Sequence, residues 1–253
     1  PDADAEQFLL LTAEHGLFRE SYDFFLQHTD TIPLETASKI ASLMTASGDK
    51  DPSLYPLSIR LMLSAVKSVD TPLTTDVLKH MYPRFYEDEV TAACEKYDLS
   101  EYLMYALVRS ESLFDKNVVS SAGAIGLSQL MTLTAGDIAR KLRMTEYDLY
   151  DAETNIGFGA YYLKELIGRL DGSIMHSLFA YNAGITRVRT WISSPSTPTW
   201  IRNDSDLPID LFLETVPYNE TRDYGRKILS AAAFYGYLYY GMSSHDVVSL
   251  IMH

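Results

Sequence analysis

Cysteine is almost missing from this sequence. Of 253 residues only Cys94 is a cysteine, which excludes a disulfide within the chain. Cys94 shares a helical spacing with Val90 and Tyr97, so we expect it to be buried and structural. No apolar run approaches the roughly 20 residues that a membrane-spanning helix requires. We therefore expect no transmembrane segment, and the lack of a disulfide framework leaves the redox compartment open.

Positive charge is also scarce. The chain has 21 lysines and arginines against 34 aspartates and glutamates, which gives a formal net charge of −13. A protein that binds nucleic acid through its surface needs a concentration of basic residues to neutralise phosphates. We therefore expect no nucleic-acid partner.

Several motifs of metal and cofactor chemistry are absent as well. The sequence has no His-Glu-x-x-His, no Cys/His cluster, no Gly-x-Ser-x-Gly and no Gly-x-x-x-x-Gly-Lys. These absences argue against a zinc site, a nucleophile elbow and a phosphate loop. Residues 204–206 (Asp-Ser-Asp) resemble part of a calcium loop but lack its glycine and distal glutamate. We expect no metal and no cofactor.

What the chain does contain is helical periodicity, punctuated by glycine and proline. No stretch alternates convincingly with period two, so the sequence predicts an all-α fold with almost no sheet. A polar segment with two prolines, residues 193–207, is predicted to be a surface loop. The helices are predicted over residues 3–15, 17–28, 34–47, 53–68, 72–81, 86–97, 101–111, 134–142, 155–170, 174–181, 185–192 and 218–240.

The pattern divides the chain into two parts. Pro83 interrupts the helix before it, and we place a domain boundary there, between residues 1–81 and residues 82–253. Residues 1–81 have the pattern of antiparallel helix pairs with short connections, which is typical of an α-superhelical (helical hairpin) region. No repeat with fixed spacing is visible in them.

Glu111 is the first candidate for chemistry. It lies four residues after Leu107 and seven after Met104, so an acid occupies the next position on an apolar helix stripe. An apolar site raises the pKa of a carboxyl group and suits it to general acid catalysis. The alternative is a structural Glu paired with Arg109 or another cation. The loop that follows, residues 120–126, is rich in small side chains and could let its backbone approach a ligand closely.

Three further segments carry candidate polar groups, and each also has an ordinary structural interpretation. Gln129 lies among apolar residues and could hold a substrate or cap the neighbouring loop. Residues 181–184 (Tyr-Asn-Ala-Gly) could be a helix end. Residues 220–224 (Glu-Thr-Arg-Asp-Tyr) could be a first turn with surface ion pairs. The order of all these segments within one helical domain strengthens a functional interpretation.

Four motifs occur in order over residues 82–240. They are Glu-Ser at 111–112 with Ser120 and Gly-Ala-x-Gly-Leu-x-Gln-Leu-Met-x-x-Thr-Ala at 123–135; Asn-Ile-x-x-Gly-x-x-Tyr-Leu at 155–163; Ala-Tyr-Asn-Ala-Gly at 180–184; and Glu-x-x-Pro-Tyr-x-Glu-Thr-Arg-x-Tyr at 214–224. Each motif is weak alone, and the four together are specific. This part of the chain resembles the soluble lytic transglycosylases of bacterial cell-wall metabolism, and residues 1–81 resemble, less specifically, the end of that family's α-superhelical region.

The resemblance implies a lysozyme-like helical catalytic domain that cleaves the β-1,4 bond between N-acetylmuramic acid and N-acetylglucosamine in peptidoglycan glycan strands. It implies a 1,6-anhydro product, formed without addition of water. By motif, Glu111 would be the catalytic acid and then base, and Gln129 and Tyr181 would orient the N-acetyl group and the sugar. The remaining residues that it implies in substrate binding are Ser120, Met131, Asn182, Glu220 and Tyr224.

Two alternatives remain open. A hydrolytic lysozyme-type muramidase would need Glu220, Glu153 or Asp115 to place a water opposite Glu111. A non-catalytic glycan-binding or scaffold module is suggested by the acidic, array-like residues 1–81, which are also a candidate surface for a protein partner.

The resemblance further implies an exported protein of the periplasm or cell envelope. The chain begins at Pro1, so we expect a processed or truncated form, whose missing signal says nothing about export. Three positions depart from the common family pattern: Lys116 and Thr132 replace prolines, and Ser128 replaces a methionine. We expect the Ser128 difference to touch the substrate wall and to affect fine specificity more than activity.

Overall fold

The computed structural model describes residues 3–68, 72–193 and 219–252, and this part of the chain is helical with no strand. Only isolated bridges pair Val119 with Ile125 and Ile125 with Leu130. The all-α prediction is confirmed. The helices are α1 (Ala3–Glu14), α2 (Phe18–Gln27), α3 (Leu34–Ser47), α4 (Leu54–Ala65), a 3₁₀ turn (Val66–Ser68), α5 (Thr75–Met81), α6 (Glu87–Tyr97), α7 (Glu101–Ser112), α8 (Thr132–Lys141), α9 (Ala152–Arg169), α10 (Ile174–Ala183), α11 (Ile185–Ser193), α12 (Asn219–Tyr240) and α13 (Ser244–Met252).

The chain forms two compact units. The first contains the residues up to Phe85 together with Ser112–Val118. In it α1 packs on α2 and α3, and α3 packs on α4, so the predicted helix pairs are present. Each helix turns an apolar stripe inward. The fully buried side chains of this unit include Leu9, Phe25, Ile40, Met44, Ile59, Leu61 and Met62. The domain boundary after residue 81 stays a prediction.

The second unit contains Tyr86–Glu111 and the residues from Val119 onward. Helix α10 is its centre and packs against α9, α11, α12 and α13. Its residues 175–180 are all buried, and so are residues 102–108 of α7. A helix that is apolar all round belongs in a core. Glu111 therefore follows a wholly buried helical segment, where the sequence had indicated only an apolar stripe.

Side-chain caps mark the starts of some helices. The Asp151 carboxylate accepts from the Thr154 N–H at the start of α9, and the Ser173 hydroxyl accepts from the His176 N–H at the start of α10. Helix α8 begins at Thr132, two residues before the predicted start. The predicted loop over 193–207 and the Asp-Ser-Asp segment at 204–206 lie outside the described residues, apart from Ser193 at the end of α11.

Helix α13 was not predicted from the sequence. Its signal is an N-cap serine, because the Ser243 hydroxyl accepts from the Asp246 N–H and donates to the Asp246 carboxylate. The helix then packs closely on α12, where a Cβ at Gly236 would lie 2.4 Å from Val247 Cγ2. The apolar run of α13 is short, and its contacts with α12 and α10 bury it.

The structure bears on the expected burial of Cys94 and on the expected lack of a membrane-spanning helix. Cys94 is buried, as predicted, and burial raises the pKa of its thiol to about 12, so it is unreactive at neutral pH. None of the helices in the described ranges is long and apolar enough to cross a membrane.

Candidate active site

Glu111 lies at the end of α7 and is only partly exposed. The Tyr224 hydroxyl donates to its Oε1 at 2.6 Å. Burial raises the pKa of Glu111 to about 7, against a smaller lowering by the Tyr224 hydrogen bond. Among the described residues no cation pairs with Glu111, which contradicts the structural alternative of an ion pair with Arg109. The second carboxyl oxygen makes no hydrogen bond within the described chain and can face a ligand.

Two tyrosines flank this carboxyl group. Tyr224 comes from α12 and is 7% exposed, and Tyr181 comes from α10. Burial and then the charge of Glu111 raise the pKa of both phenols well above their ordinary value, so both are neutral hydrogen-bonding groups at working pH. Tyr224 lies 113 positions after Glu111 and 43 positions after Tyr181 in the sequence. The packing of α7, α10 and α12 brings the three residues together.

A compact loop between α7 and α8 forms the neighbouring wall. The Ser120 N–H donates to the Ala124 carbonyl at 2.9 Å, and the Ser120 hydroxyl accepts from the Ala124 N–H at 3.0 Å. The loop then turns at Gly126, whose φ is +76°. A Cβ there would lie 2.3 Å from Asn155 Nδ2 and 2.6 Å from the Leu149 carbonyl oxygen. Ser120 is thus a loop-forming residue in this structure, and Gly126 is required by its close packing.

From the sequence we expected Ser128 at the substrate wall. In the structure Ser128 is fully buried, so its side chain does not contribute to a wall that a substrate could touch. A Cβ at Gly159 of α9 would lie 2.3 Å from the Ser128 hydroxyl oxygen, so Gly159 allows the loop to approach α9 closely. The backbone of Ser128 is held at both ends: its N–H donates to Asn155 Oδ1 at 2.7 Å, and its carbonyl accepts from the Tyr181 hydroxyl at 2.8 Å.

Gln129 has a left-handed backbone, with a φ of +48°, and its side-chain amide donates to the Gly126 carbonyl at 2.9 Å. Of the two interpretations open from the sequence, the loop cap is the one seen. Met131 precedes α8 and is 42% exposed, so its side chain is accessible to a ligand.

The last two predicted residues lie at the far ends of the site. Asn182 follows Tyr181 on α10 and is exposed, and its Oδ1 accepts from the buried Thr221 hydroxyl at 3.2 Å. Glu220 is exposed in the first turn of α12 and makes no hydrogen bond within the described part of the chain. The preceding motif residues Glu214, Pro217 and Tyr218 lie outside the described residues.

The structure therefore brings Glu111, Tyr181 and Tyr224 together and links the 120–131 loop to them through the Ser128 carbonyl. It shows no contact from Met131 or Glu220 to this group among the described residues. Two residues that the sequence did not single out as site residues support the others: Asn155 holds the loop, and Thr221 holds Asn182. Their membership of the motifs at 155–163 and 214–224 was the available signal.

Comparisons with known proteins agree with this geometry. Residues 88–200 match the family model of the transglycosylase SLT domain. A soluble lytic murein transglycosylase of Salmonella typhimurium is 31% identical over 164 residues, which are 63% of this chain and 24% of that protein. A membrane-bound lytic murein transglycosylase C of Serratia proteamaculans is 30% identical over 165 residues, which are 59% of this chain and 46% of that protein.

A solved structure shares the fold over nearly the whole chain. An inactive mutant of the lytic transglycosylase Slt from Pseudomonas aeruginosa has a TM-score of 0.70 and 26% identity, and the match covers 93% of this chain and 36% of that one. The all-α, lysozyme-like fold with a preceding helical region is thereby confirmed. The chain spans only about a quarter of the length of the Salmonella relative. Residues 88–200 therefore belong to the transglycosylase SLT domain family, and in its ordered motifs and its fold the chain is similar to the lytic transglycosylases.

Proposed function

We propose that this protein cleaves the β-1,4 bond between N-acetylmuramic acid and N-acetylglucosamine in peptidoglycan and releases a 1,6-anhydromuramic acid end. The observation that carries the proposal is the state of Glu111. Its pKa is raised to about 7 by burial, and no other carboxyl group contributes to that shift among the described residues. A single acid near its working pKa suits a reaction in which one group first gives and then takes a proton.

In the first step the protonated Glu111 donates to the glycosidic oxygen, and the bond from that oxygen to the muramic acid anomeric carbon breaks. Tyr224 donates to Oε1, which leaves the second oxygen to carry the proton toward the substrate. The oxocarbenium-like centre that forms is stabilised by the sugar's own N-acetyl group. We assign Tyr181 and Gln129 to orienting that sugar, with Ser120, Met131, Asn182 and Glu220 along the groove.

In the second step the 6-hydroxyl of the same sugar attacks the anomeric carbon. Glu111, now a carboxylate, takes the hydroxyl proton, which restores the starting state of the enzyme and closes the anhydro ring. No water is consumed. Burial assists this return, because it makes the carboxylate a stronger base than an exposed glutamate.

The hydrolytic alternative requires a second carboxylate. The two carboxyl groups lie about 6.5–9.5 Å apart in glycosidases that place a water opposite the acid, and about 5–5.5 Å apart in those with a carboxylate nucleophile. A second carboxylate charge this close raises the pKa of the acid, and the effect is stronger at the shorter distance. Burial and the Tyr224 hydrogen bond are the causes of the Glu111 shift, and neither Glu220 nor Glu153 nor Asp115 contributes to it. Within the described part of the chain, this favours the transglycosylase over the hydrolase.

Digestion of purified peptidoglycan tests the proposal. The soluble fragments are separated and their masses are measured, and we expect muramic acid ends that are lighter by one water than reducing ends. A digest with reducing muramic acid ends would support the hydrolase instead. Binding to the glycan without any cleavage, over a range of pH and salt, would support the non-catalytic module.

The pH dependence of the reaction follows from the raised pKa of Glu111. Because the acid form must donate first, we expect kcat/KM to fall as the pH rises through about 7. Well above that pH the decrease should approach about tenfold for each pH unit. Initial rates of release of soluble fragments from pH 5 to pH 9 give the profile. A rate that stays constant up to pH 9 would exclude Glu111 as the titrating acid.

Tyr224→Phe separates the orientation of Glu111 from its acidity. The hydrogen bond from Tyr224 lowers the pKa of Glu111, so its removal should move the alkaline limb of the pH–rate profile to higher pH. The carboxyl group also loses its orientation, and we expect kcat to fall about tenfold. A lower kcat with an unmoved alkaline limb would show that the hydrogen bond seen here does not control the acid. Tyr237→Phe, which changes an exposed tyrosine of the same helix, is the matched control.

We further propose that the protein acts in the periplasm or cell envelope, where peptidoglycan lies. The first unit is proposed to contact a protein partner. Apolar side chains that are nearly half exposed on and beside α1 and α2 support this: Phe8, Leu11, Leu17 and Leu26.

A further inference from the structure

We propose that Asn155 is a positioning residue for the reaction, which fixes the Ser128 backbone so that the Ser128 carbonyl holds the Tyr181 hydroxyl beside Glu111. This inference rests on the proposed function for its kinetic consequences. Its structural part concerns only the chain of contacts from α9 to α10 and can be tested separately.

Asn155 uses both ends of its amide. Its Nδ2 donates to the carbonyls of Leu149 at 2.8 Å and Ile125 at 3.0 Å, and its Oδ1 accepts from the Ser128 N–H at 2.7 Å. The residue is 1% exposed. A buried amide with three hydrogen bonds has one orientation, because any other leaves buried polar groups unpaired. Asn155 therefore fixes the start and the turn of the loop at once.

The backbone of Ser128 transmits this constraint. Its N–H is taken by Asn155, and its carbonyl accepts from the Tyr181 hydroxyl at 2.8 Å. Because the N–H of the same residue is held by Asn155, the Ser128 carbonyl is a fixed acceptor for the Tyr181 hydroxyl. The Ser128 side chain takes no part, since its buried hydroxyl has no hydrogen-bond partner among the described residues.

Tyr181 is the last member of the chain. Its proton is committed to the Ser128 carbonyl, so its oxygen can only accept a hydrogen bond from another group. The ring packs against Tyr162 of α9, with centroids 5.2 Å apart, and so cannot readily turn to another acceptor. The charge of Glu111 acts on the pKa of Tyr181, which places the two groups in one electrostatic environment. Loss of the hydrogen bond between Asn155 and the Ser128 N–H would thus loosen Tyr181 and admit water to Glu111.

A double-mutant cycle on Asn155→Ala and Tyr181→Phe tests the transmission. We expect Asn155→Ala to lower kcat at least about tenfold with little change in KM, because the loss is one of positioning. If the effect passes through the Tyr181 hydroxyl, the double variant should lose no more than about twofold beyond the worse single variant. Losses that multiply would overturn the proposal. All rates are measured at a temperature well below the thermal unfolding midpoint of every variant.

Ser128→Ala is the matched control, because it removes the serine hydroxyl and leaves both peptide hydrogen bonds. It should keep its rate within about twofold of wild type, and a loss as large as that of Asn155→Ala would overturn the role of the peptide. Should Asn155→Ala not fold, the cycle is run with Asn155→Asp above the pKa of the new carboxyl. An aspartate at this position cannot donate to the carbonyls of Ile125 and Leu149. Losses of kcat that do not multiply with those of Tyr181→Phe would support the proposal, and losses that multiply would overturn it.

The pKa of Glu111, followed by carbon NMR of its carboxyl group, gives a readout that needs no activity. We expect it to fall by about 0.5 or more in Asn155→Ala, as water reaches the carboxyl, and to stay unchanged in Ser128→Ala. An unchanged pKa in Asn155→Ala would contradict the proposal even in a protein that cuts peptidoglycan. If the wild-type protein cuts no peptidoglycan but the pKa of Glu111 falls as expected in Asn155→Ala, the proposed function is refuted and the positioning role of Asn155 stands.

Discussion

Glu111→Gln is expected to lose cleavage of peptidoglycan by about 10³-fold or more, because one group supplies both proton transfers. Glutamine has nearly the shape of glutamic acid and can still accept from the Tyr224 hydroxyl, so the site should keep its form. It cannot donate an acidic proton or accept one back. Binding to insoluble peptidoglycan, measured by sedimentation, should therefore remain within about threefold of wild type.

The same substitution has a predicted effect on stability, with a sign that depends on pH. The pKa of Glu111 is raised from 4.5 in the ordinary state to about 7 in the fold. The folded chain thus holds this proton more tightly, and the stability that it contributes is full below pH 4.5 and lost as the pH rises through about 7. Glutamine carries no charge at any pH. Relative to wild type, Glu111→Gln should gain on the order of 2–3 kcal/mol of unfolding free energy between pH 4.5 and pH 8.

Thermal unfolding of the two proteins at pH 4.5 and pH 8 measures this difference. Glu220→Gln, which changes an exposed carboxyl group in the first turn of α12, should show no such gain. Full cleavage activity in Glu111→Gln would exclude Glu111 as the acid. A loss of activity without the stability gain would mean that the carboxyl group is not desolvated as described here.

Gly126→Ala is expected to disrupt the wall of the site. The backbone of Gly126 has a φ of +76°, which costs an alanine about 1–2 kcal/mol. The new Cβ would also lie 2.6 Å from the Leu149 carbonyl oxygen and 2.3 Å from the Asn155 amide nitrogen, and such overpacking costs about 1–3 kcal/mol more. Neither neighbour is the free end of a flexible chain, since Asn155 is held by three hydrogen bonds.

The chain offers a matched control for this change. Gly123 also has a left-handed backbone, with a φ of +87°, but a Cβ there would meet nothing within 4 Å. Gly123→Ala should therefore cost only the backbone term, about 1–2 kcal/mol, and keep most of its activity. Gly126→Ala should lose about 2–5 kcal/mol of unfolding free energy and about 10²-fold in kcat, because the Ser128 carbonyl and Tyr181 move with the loop. Equal effects in the two variants, measured by denaturant unfolding and initial rates, would contradict the role of packing.

Much of this site could be predicted from sequence because its signals are local. Glu111 could be recognised as an acid that continues an apolar helical pattern, and the expected rise of its pKa agrees with the structure. Helical periodicity gave the positions of most helices for the same reason, since each reflects the side chains of a single segment.

The remaining features depend on contacts between distant segments, which no local pattern specifies. Ser128 was expected at the substrate wall, but the turn at Gly126 and Gln129 directs its side chain into the protein. Asn155 drew attention only as part of a motif, because its three partners become neighbours only when the loop packs on α9. The pairing of Tyr224 with Glu111 likewise depends on how α7 and α12 pack.

The central claim is that Glu111 alone serves as acid and base, so that the sugar's own hydroxyl takes the place of water. Cleavage of peptidoglycan in water enriched with heavy oxygen tests this most directly, with the new muramic acid ends examined by mass spectrometry. We expect those ends to lack the heavy isotope and to carry the anhydro ring. Heavy oxygen at the anomeric carbon of the primary products would show that water attacks, and would contradict the account.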